Sequence, residues 1–138
     1  MTAHPVLFLP GPTEVDDELL QLMATPLVGH RSAAFVTVVR DVCARLRDLF
    51  LTREPAAFET CAATALMEAG IRNLVPRDGR SLHLVCGAFS ERWQQIAASC
   101  GRATEAMTVP LGRAHDPAAL RERLRRGPTP SVVCITHN

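Results

Sequence analysis

A run of small residues, Cys61-Ala62-Ala63-Thr64, is the first candidate for a ligand-binding site in this sequence. It stands between a predicted strand over residues 57–60 and a predicted helix over residues 64–74. Backbone N–H groups at the start of such a helix can approach an anion closely, and the Thr64 hydroxyl adds a donor. The run therefore indicates a phosphate site, although tight packing of a strand against a helix favours the same small residues. It is neither a Walker A nor a GxGxxG sequence.

A second candidate is the aromatic ring of Phe89, which opens a predicted helix directly after Cys86-Gly87. A ring at the end of a strand can stack on a planar ligand, but the same ring can also belong to the core. Cys61 lies beside a helix start, yet no base accompanies it in the sequence, so a cysteine nucleophile is not predicted. The five cysteines show no CxxC spacing and the five histidines no HExxH pattern, which argues against a disulfide framework and a zinc site.

The elements that must position these residues alternate along the chain after Pro55. Apolar spacing and turn residues predict strands over residues 57–60, 82–85, 104–109 and 131–135, with helices over 64–74, 89–99 and 117–126 between them. Two helices precede them, a short one capped by Thr13 and a long one capped by Ser32. Strands that alternate with helices predict βαβ units and an α/β fold. Residues 1–54 form the arm and the two helices, and residues 55–138 form the α/β domain.

Charge and hydropathy narrow the class of protein. The formal net charge is +1, from 15 basic and 14 acidic residues, which gives no reason to expect nucleic-acid or membrane-surface binding. No apolar run approaches the ~20 residues of a transmembrane helix. The start of the chain lacks the basic region of a signal peptide. Free cysteines in odd number fit a reducing compartment, so the cytoplasm is the expected location.

Five segments in register resemble the class V aminotransferases, nearest to the alanine–glyoxylate and serine–glyoxylate (serine–pyruvate) aminotransferases. They are residues 9–13, 29–32, 63–69, 87–93 and 136–138, which read LPGPT, GHRS, ATALMEA, GAFSERW and THN. The resemblance implies part of the large domain of a fold-type I enzyme dependent on pyridoxal 5'-phosphate (PLP). It also implies a homodimer that transfers an amino group from a small amino acid, alanine or serine, to a 2-oxo acid such as glyoxylate or pyruvate.

The family's site residues can be placed on this sequence one by one. Its phosphate loop of small residues falls on Ala62, Ala63 and Thr64, and its ring-stacking aromatic falls on Phe89. Asn138 matches a position from which related desulfurases contact the phenolic oxygen of the cofactor. Many relatives have serine where this chain has Ala62, so one hydrogen bond to the phosphate is expected to be absent.

The sequence contains no lysine, because all 15 basic residues are arginine. The family holds its cofactor through a lysine, and the resemblance places that lysine, the partner aspartate of the pyridinium and the substrate-binding arginine beyond Asn138. PLP chemistry needs such an amine. The chain is therefore expected to be an N-terminal fragment that is inactive alone. Two alternatives stay open: a subunit of a split PLP enzyme, and a PLP lyase or desulfurase of the same fold.

Overall fold

The computed structural model describes residues 6–9 and 11–137. The chain divides between Phe58 and Glu59 into two compact units, each of which is described by itself. No helix in the described part of the chain is long and apolar enough to cross a membrane.

The first unit contains two helices, α1 (Asp17–Met23) and α2 (Ala33–Leu49). The predicted cap of α2 is confirmed, because the Ser32 hydroxyl accepts a hydrogen bond from the Phe35 N–H at 3.2 Å. The predicted cap of α1 is wrong. Asp16 takes that place instead of Thr13, with its carboxylate accepting from the Glu18 N–H at 2.9 Å. A carboxylate is the stronger partner for the positive end of a helix, and Asp16 stands directly before the first turn.

The second unit consists of a three-stranded parallel sheet and three helices. Its elements, in chain order, are α3 (Ala63–Leu74), β1 (Arg80–Val85), α4 (Ala88–Ser99), β2 (Ala103–Thr108), α5 (Pro117–Arg126) and β3 (Val132–Ile135). The strand order is β2-β1-β3. The predicted α/β fold is confirmed as a partial α/β domain. The predicted strand over residues 57–60 is not formed, because a strand exists only through hydrogen bonds to a neighbour and the described residues provide none there.

The central strand β1 is buried on both faces, from Ser81 to Val85. Ser81 and His83 share a face with Val132 and Cys134 of β3, whereas Leu82 and Leu84 point to the opposite face. The chain moves from β1 to β2 in one direction across the sheet and then back past β1 to β3 in the other direction. Because both crossovers are right-handed, α4 and α5 lie on opposite faces of the sheet. A strand buried on both faces is mainly apolar, as in Leu82, Leu84 and Val85, and the two polar side chains buried here, Ser81 and His83, contact each other.

Helices α3 and α4 lie side by side and run in the same direction. Near their starts, the indole Nε1 of Trp93 donates a hydrogen bond to the Met67 carbonyl at 3.2 Å. Near their ends, Arg102 Nε donates to the Val75 carbonyl at 2.8 Å. The core cluster consists of Ile71, Val75, Ala97 and Cys134, and Trp93 packs against it. The N-termini of α3 and α4 therefore lie at the same end of the unit.

Helix α5 is attached to the sheet by an ion pair. Arg123 donates from both Nε and Nη2 to the carboxylate of Glu105 on β2, and this guanidinium lowers the pKa of Glu105. The caps of α5 are those that the sequence predicts, with Asp116 accepting from the Ala118 N–H at 2.8 Å and Pro117 in the first turn.

We expect two glycines of this unit to respond oppositely to alanine. A Cβ at Gly79 would lie 2.7 Å from Ser131 Oγ and 3.2 Å from the Pro76 carbonyl oxygen, whereas one at Gly70 meets nothing within 4 Å. Gly79→Ala should lower the free energy of unfolding by about 1–3 kcal/mol through overpacking. Gly70→Ala, inside α3, should raise it by about 0.5–1 kcal/mol. Urea denaturation of the two variants measures both effects; a Gly79→Ala protein as stable as the parent would contradict the close contact.

His83 makes the unit sensitive to acid. Its side chain is 1% exposed, its Nε2 lies 2.9 Å from Ser81 Oγ, and its Nδ1 has no hydrogen-bond partner among the described residues. The ring meets Trp93 edge-on, with centroids 6.4 Å apart. Burial lowers the pKa of His83 from its ordinary value of 6.5. The folded state therefore holds this ring in its neutral form.

We expect the protein to lose stability as the pH falls below about 6.5, the unfolded-state pKa of His83. The unfolded chain then binds a proton that the folded chain does not, and the free energy of unfolding drops by up to about 1.4 kcal/mol per pH unit. Denaturation between pH 7.5 and 5 checks this. His83→Gln should flatten the slope, while His137→Gln, at an exposed position, should retain it. Equal slopes in the parent and His83→Gln would refute the assignment.

Candidate functional site

Four of the five predicted site residues, Ala62, Ala63, Thr64 and Phe89, lie at one edge of the sheet. The parallel strands end at Val85, Thr108 and Ile135, so these ends share an edge. Helix α4 begins three residues after β1, which places its N-terminus and Phe89 at this edge. Because α3 lies beside α4 in the same direction, the start of α3 lies at this edge as well. Ligands of parallel α/β sheets bind at this carboxyl edge.

The start of α3 is open. Ala62 is its N-cap and makes no side-chain hydrogen bond, and the first turn contains no acidic residue. Ala62 and Ala63 are exposed, and Thr64 is half-buried. In contrast, α1, α2 and α5 each have a side chain that accepts from the first turn. The first N–H groups of α3 have no such side chain, so they and the Thr64 hydroxyl form a donor set that fits a phosphate.

The turn before α4 is held by Ser90, a residue that the sequence analysis missed. The buried hydroxyl of Ser90 accepts from the N–H groups of Cys86, at 3.0 Å, and Gly87, at 3.1 Å, and it donates to the Gly87 carbonyl at 2.8 Å. Ser90 stands at the third helical position, from which a capping-box side chain reaches back to the N-cap backbone, so its spacing from Gly87 was the available clue. The Ser90 hydroxyl therefore takes up N–H groups of the turn before α4, whereas the first-turn N–H groups of α4, like those of α3, have no side-chain cap.

The Phe89 ring is 58% exposed at this edge. It borders a small cleft of about 60 Å³, whose other lining residues are Cys86, Gly87, Ala88, Ser90 and Thr136. That volume holds a few water molecules and is far below that of a small-molecule site. A planar ligand would therefore lie over the exposed ring rather than inside the cleft.

The end of β3 contributes Thr136, which the sequence analysis did not assign. Its hydroxyl oxygen is buried and has no hydrogen-bond partner in the described part of the chain. Asn138, the predicted contact to the phenolic oxygen of the cofactor, lies outside the described residues.

In the described part of the chain, the cysteines and the other metal-binding side chains do not form a further reactive site. Burial raises the pKa of the Cys134 thiol to about 11, so it stays protonated at neutral pH. Cys61 is exposed next to the open start of α3. Among residues 6–9 and 11–137, no three His, Cys, Asp or Glu side chains are grouped so as to hold a metal ion.

Comparison with known proteins adds relatives along nearly the whole chain. No family model matches. An uncharacterized aminotransferase of Methanocaldococcus jannaschii is 31% identical over 96% of this chain and 34% of its own length. A protein named as the 42 kDa subunit of a soluble hydrogenase, from Anabaena cylindrica, is 30% identical over 96% of this chain and 35% of its own length.

A solved structure has the same fold. The crystal structure of an alanine–glyoxylate aminotransferase from a Nostoc species superimposes with a TM-score of 0.78 and 27% identity, over 91% of this chain and 35% of that one. The chain thus spans about a third of the length of the relatives that it matches. Over nearly its whole length, the chain is similar to class V aminotransferases, and its fold matches part of the α/β domain of the fold-type I PLP enzymes.

Proposed function

We propose that this chain is the cofactor-phosphate-binding part of a PLP-dependent aminotransferase. The protein would move an amino group from a small amino acid, alanine or serine, to a 2-oxo acid such as glyoxylate or pyruvate. The observation that carries the proposal is the open N-terminus of α3, at the same sheet edge as the exposed Phe89 ring, in a chain similar to aminotransferases.

In this proposal different residues at the carboxyl edge of the sheet bind different parts of PLP. The first N–H groups of α3 and the Thr64 hydroxyl hold the phosphate, and the Phe89 ring supports one face of the pyridine ring. Asn138 contacts the phenolic oxygen. Ala62 brings no hydroxyl, and one missing hydrogen bond to a charged acceptor costs roughly 1–3 kcal/mol. PLP itself supplies the electron sink that transamination requires.

The amine that the chemistry requires must come from outside these 138 residues, because the sequence contains no lysine. Arginine stays protonated and cannot take that role. The lysine would lie on a further part of the same polypeptide or, as the alternative, on a second chain of a split enzyme. A PLP lyase or desulfurase would use the same edge. We propose a homodimer in the cytoplasm as the working form of the whole protein.

We expect Thr64→Val to weaken the binding of PLP to the full chain by about 5- to 150-fold, the equivalent of roughly 1–3 kcal/mol for a hydrogen bond to a charged group. Quenching of Trp93, the one tryptophan of the sequence, reports the titration. Thr129→Val, at an exposed position between α5 and β3, is the matched control and should bind as the parent does. Equal affinities in the parent and Thr64→Val would remove Thr64 from the site.

We also expect the chain to hold PLP without covalent attachment to any side chain. After incubation with PLP and reduction with borohydride, peptide mapping by mass spectrometry should find no modified side chain, since only an amine can form that bond. Modification of the free N-terminal amine is recognised in the same map and counts separately. A reproducible adduct on an internal residue would contradict the absence of a functional amine.

A further inference from the structure

A second crevice lies on the other side of the β1–α4 turn. The chain leaves β1 toward α4 on one face of the sheet and leaves β2 toward α5 on the opposite face. Two neighbouring parallel strands whose connections diverge in this way leave a gap between their carboxyl ends, which is where open α/β sheets bind ligands. We call this gap the β1–β2 crevice; its lining residues are Val85, Cys86, Gly87, Ala88, Glu91, Thr108, Val109, Pro110 and Leu111.

The β1–β2 crevice is large enough for a small molecule. Its volume is about 480 Å³, within the ~300–1,000 Å³ of ligand pockets and several times that of the cleft beside Phe89. One wall is the segment after β2, which the Val109 N–H anchors to the Val85 carbonyl at 2.9 Å. Leu111, at the rim, is 82% exposed and faces Gly87, where a Cβ would lie 3.9 Å from its Cδ2.

The chemistry of the lining is mainly apolar with one charge. Val85, Val109, Pro110 and Leu111 offer hydrocarbon. Glu91, in the first turn of α4, is the one ionisable carboxylate among the lining residues, and no arginine or histidine joins it. The Glu91 carboxylate forms no hydrogen bond or ion pair with another described residue, whereas the carboxylates of Glu68, Glu105 and Glu122 are each paired with an arginine. A carboxylate beside apolar walls fits a cation that carries a hydrocarbon group.

We propose that the β1–β2 crevice binds a small organic cation, of the alkylammonium class. Its charged group lies at Glu91, and its hydrocarbon part lies against Val109, Pro110 and Leu111. The site is separate from the start of α3, because none of Ala62, Ala63 and Thr64 lines it. It shares Cys86, Gly87 and Ala88 with the cleft beside Phe89. It does not depend on the proposed aminotransferase function.

Titration of the full chain with n-butylammonium, without PLP, tests the proposal by amide chemical shifts in NMR. We expect saturable shifts at Gly87, Ala88, Leu111 and Gly112, and none at Ala63 and Thr64. Butyrate, which has the same hydrocarbon length and the opposite charge, should cause no saturable shift. Hexylammonium should bind more tightly than butylammonium, by about two- to fourfold for each added CH₂.

Two variants at exposed positions locate the contacts without risk to the fold. Glu91→Gln should weaken butylammonium binding at least fivefold, while Glu54→Gln, which removes the same charge in the first unit, should leave it unchanged. Leu111→Ala should reduce the gain from hexylammonium. Equal responses to butylammonium and butyrate, absence of saturation, or parent-like binding in Glu91→Gln would each overturn the proposal. Because PLP is absent from the titration, none of these results bears on the start of α3.

Discussion

Burial of β1 on both of its faces is the constraint on which the rest of the second unit depends. A strand between two layers can bury its backbone only by pairing on both sides, and β1 does so with β2 and β3 in parallel register. Parallel pairing requires crossover helices, which cover the two faces and bring every strand end to one edge. The edge with Ala62, Thr64 and Phe89 is therefore a consequence of how one apolar strand satisfies its backbone.

The two helix starts at that edge both lack a side-chain cap, and they differ in the turn that precedes them. Ser90 folds back onto its own turn and takes the N–H groups of Cys86 and Gly87. No side chain does this for α3, where alanines occupy the cap and the first helical position. An open helix start attracts an anion because its N–H groups carry partial positive charge and have no partner within the helix. The lack of a serine at Ala62 removes a direct hydrogen bond from the proposed phosphate site and leaves the backbone donors in place.

In the proposed function the chain provides the binding groups and lacks the lysine that PLP chemistry requires. Its 138 residues contain 15 arginines and no lysine, and they match about a third of the length of related proteins. The relatives' names also include a hydrogenase subunit, so similarity over this third does not by itself select a reaction. Binding of phosphate and stacking on Phe89 are properties that the residues of this part can have on their own, whereas amino transfer requires a further amine.

The sequence by itself determined the periodic elements and most of their caps. The apolar spacing located all three strands and all three helices of the second unit to within two residues, and Ser32, Asp116 and Pro117 gave two helix starts correctly. These features are local, because a cap or an apolar stripe depends on residues within one or two turns. The prediction of a strand over residues 57–60 was wrong because it depended on a non-local feature. A strand needs a neighbouring strand to pair with, and no local sequence pattern reveals that neighbour.

Only the tertiary structure decided which residues lie close together in space. Ala62 and Phe89 are 27 positions apart in the sequence, and they reach the same edge because Trp93 and Arg102 fix α3 alongside α4. The roles of Ser90 and the buried position of Thr136 depend on side-chain directions that periodicity does not specify. The same holds for the crevice beside Glu91, which exists because two crossovers leave the sheet on opposite faces. Residue types set what chemistry is available, and long-range packing sets which groups can act together.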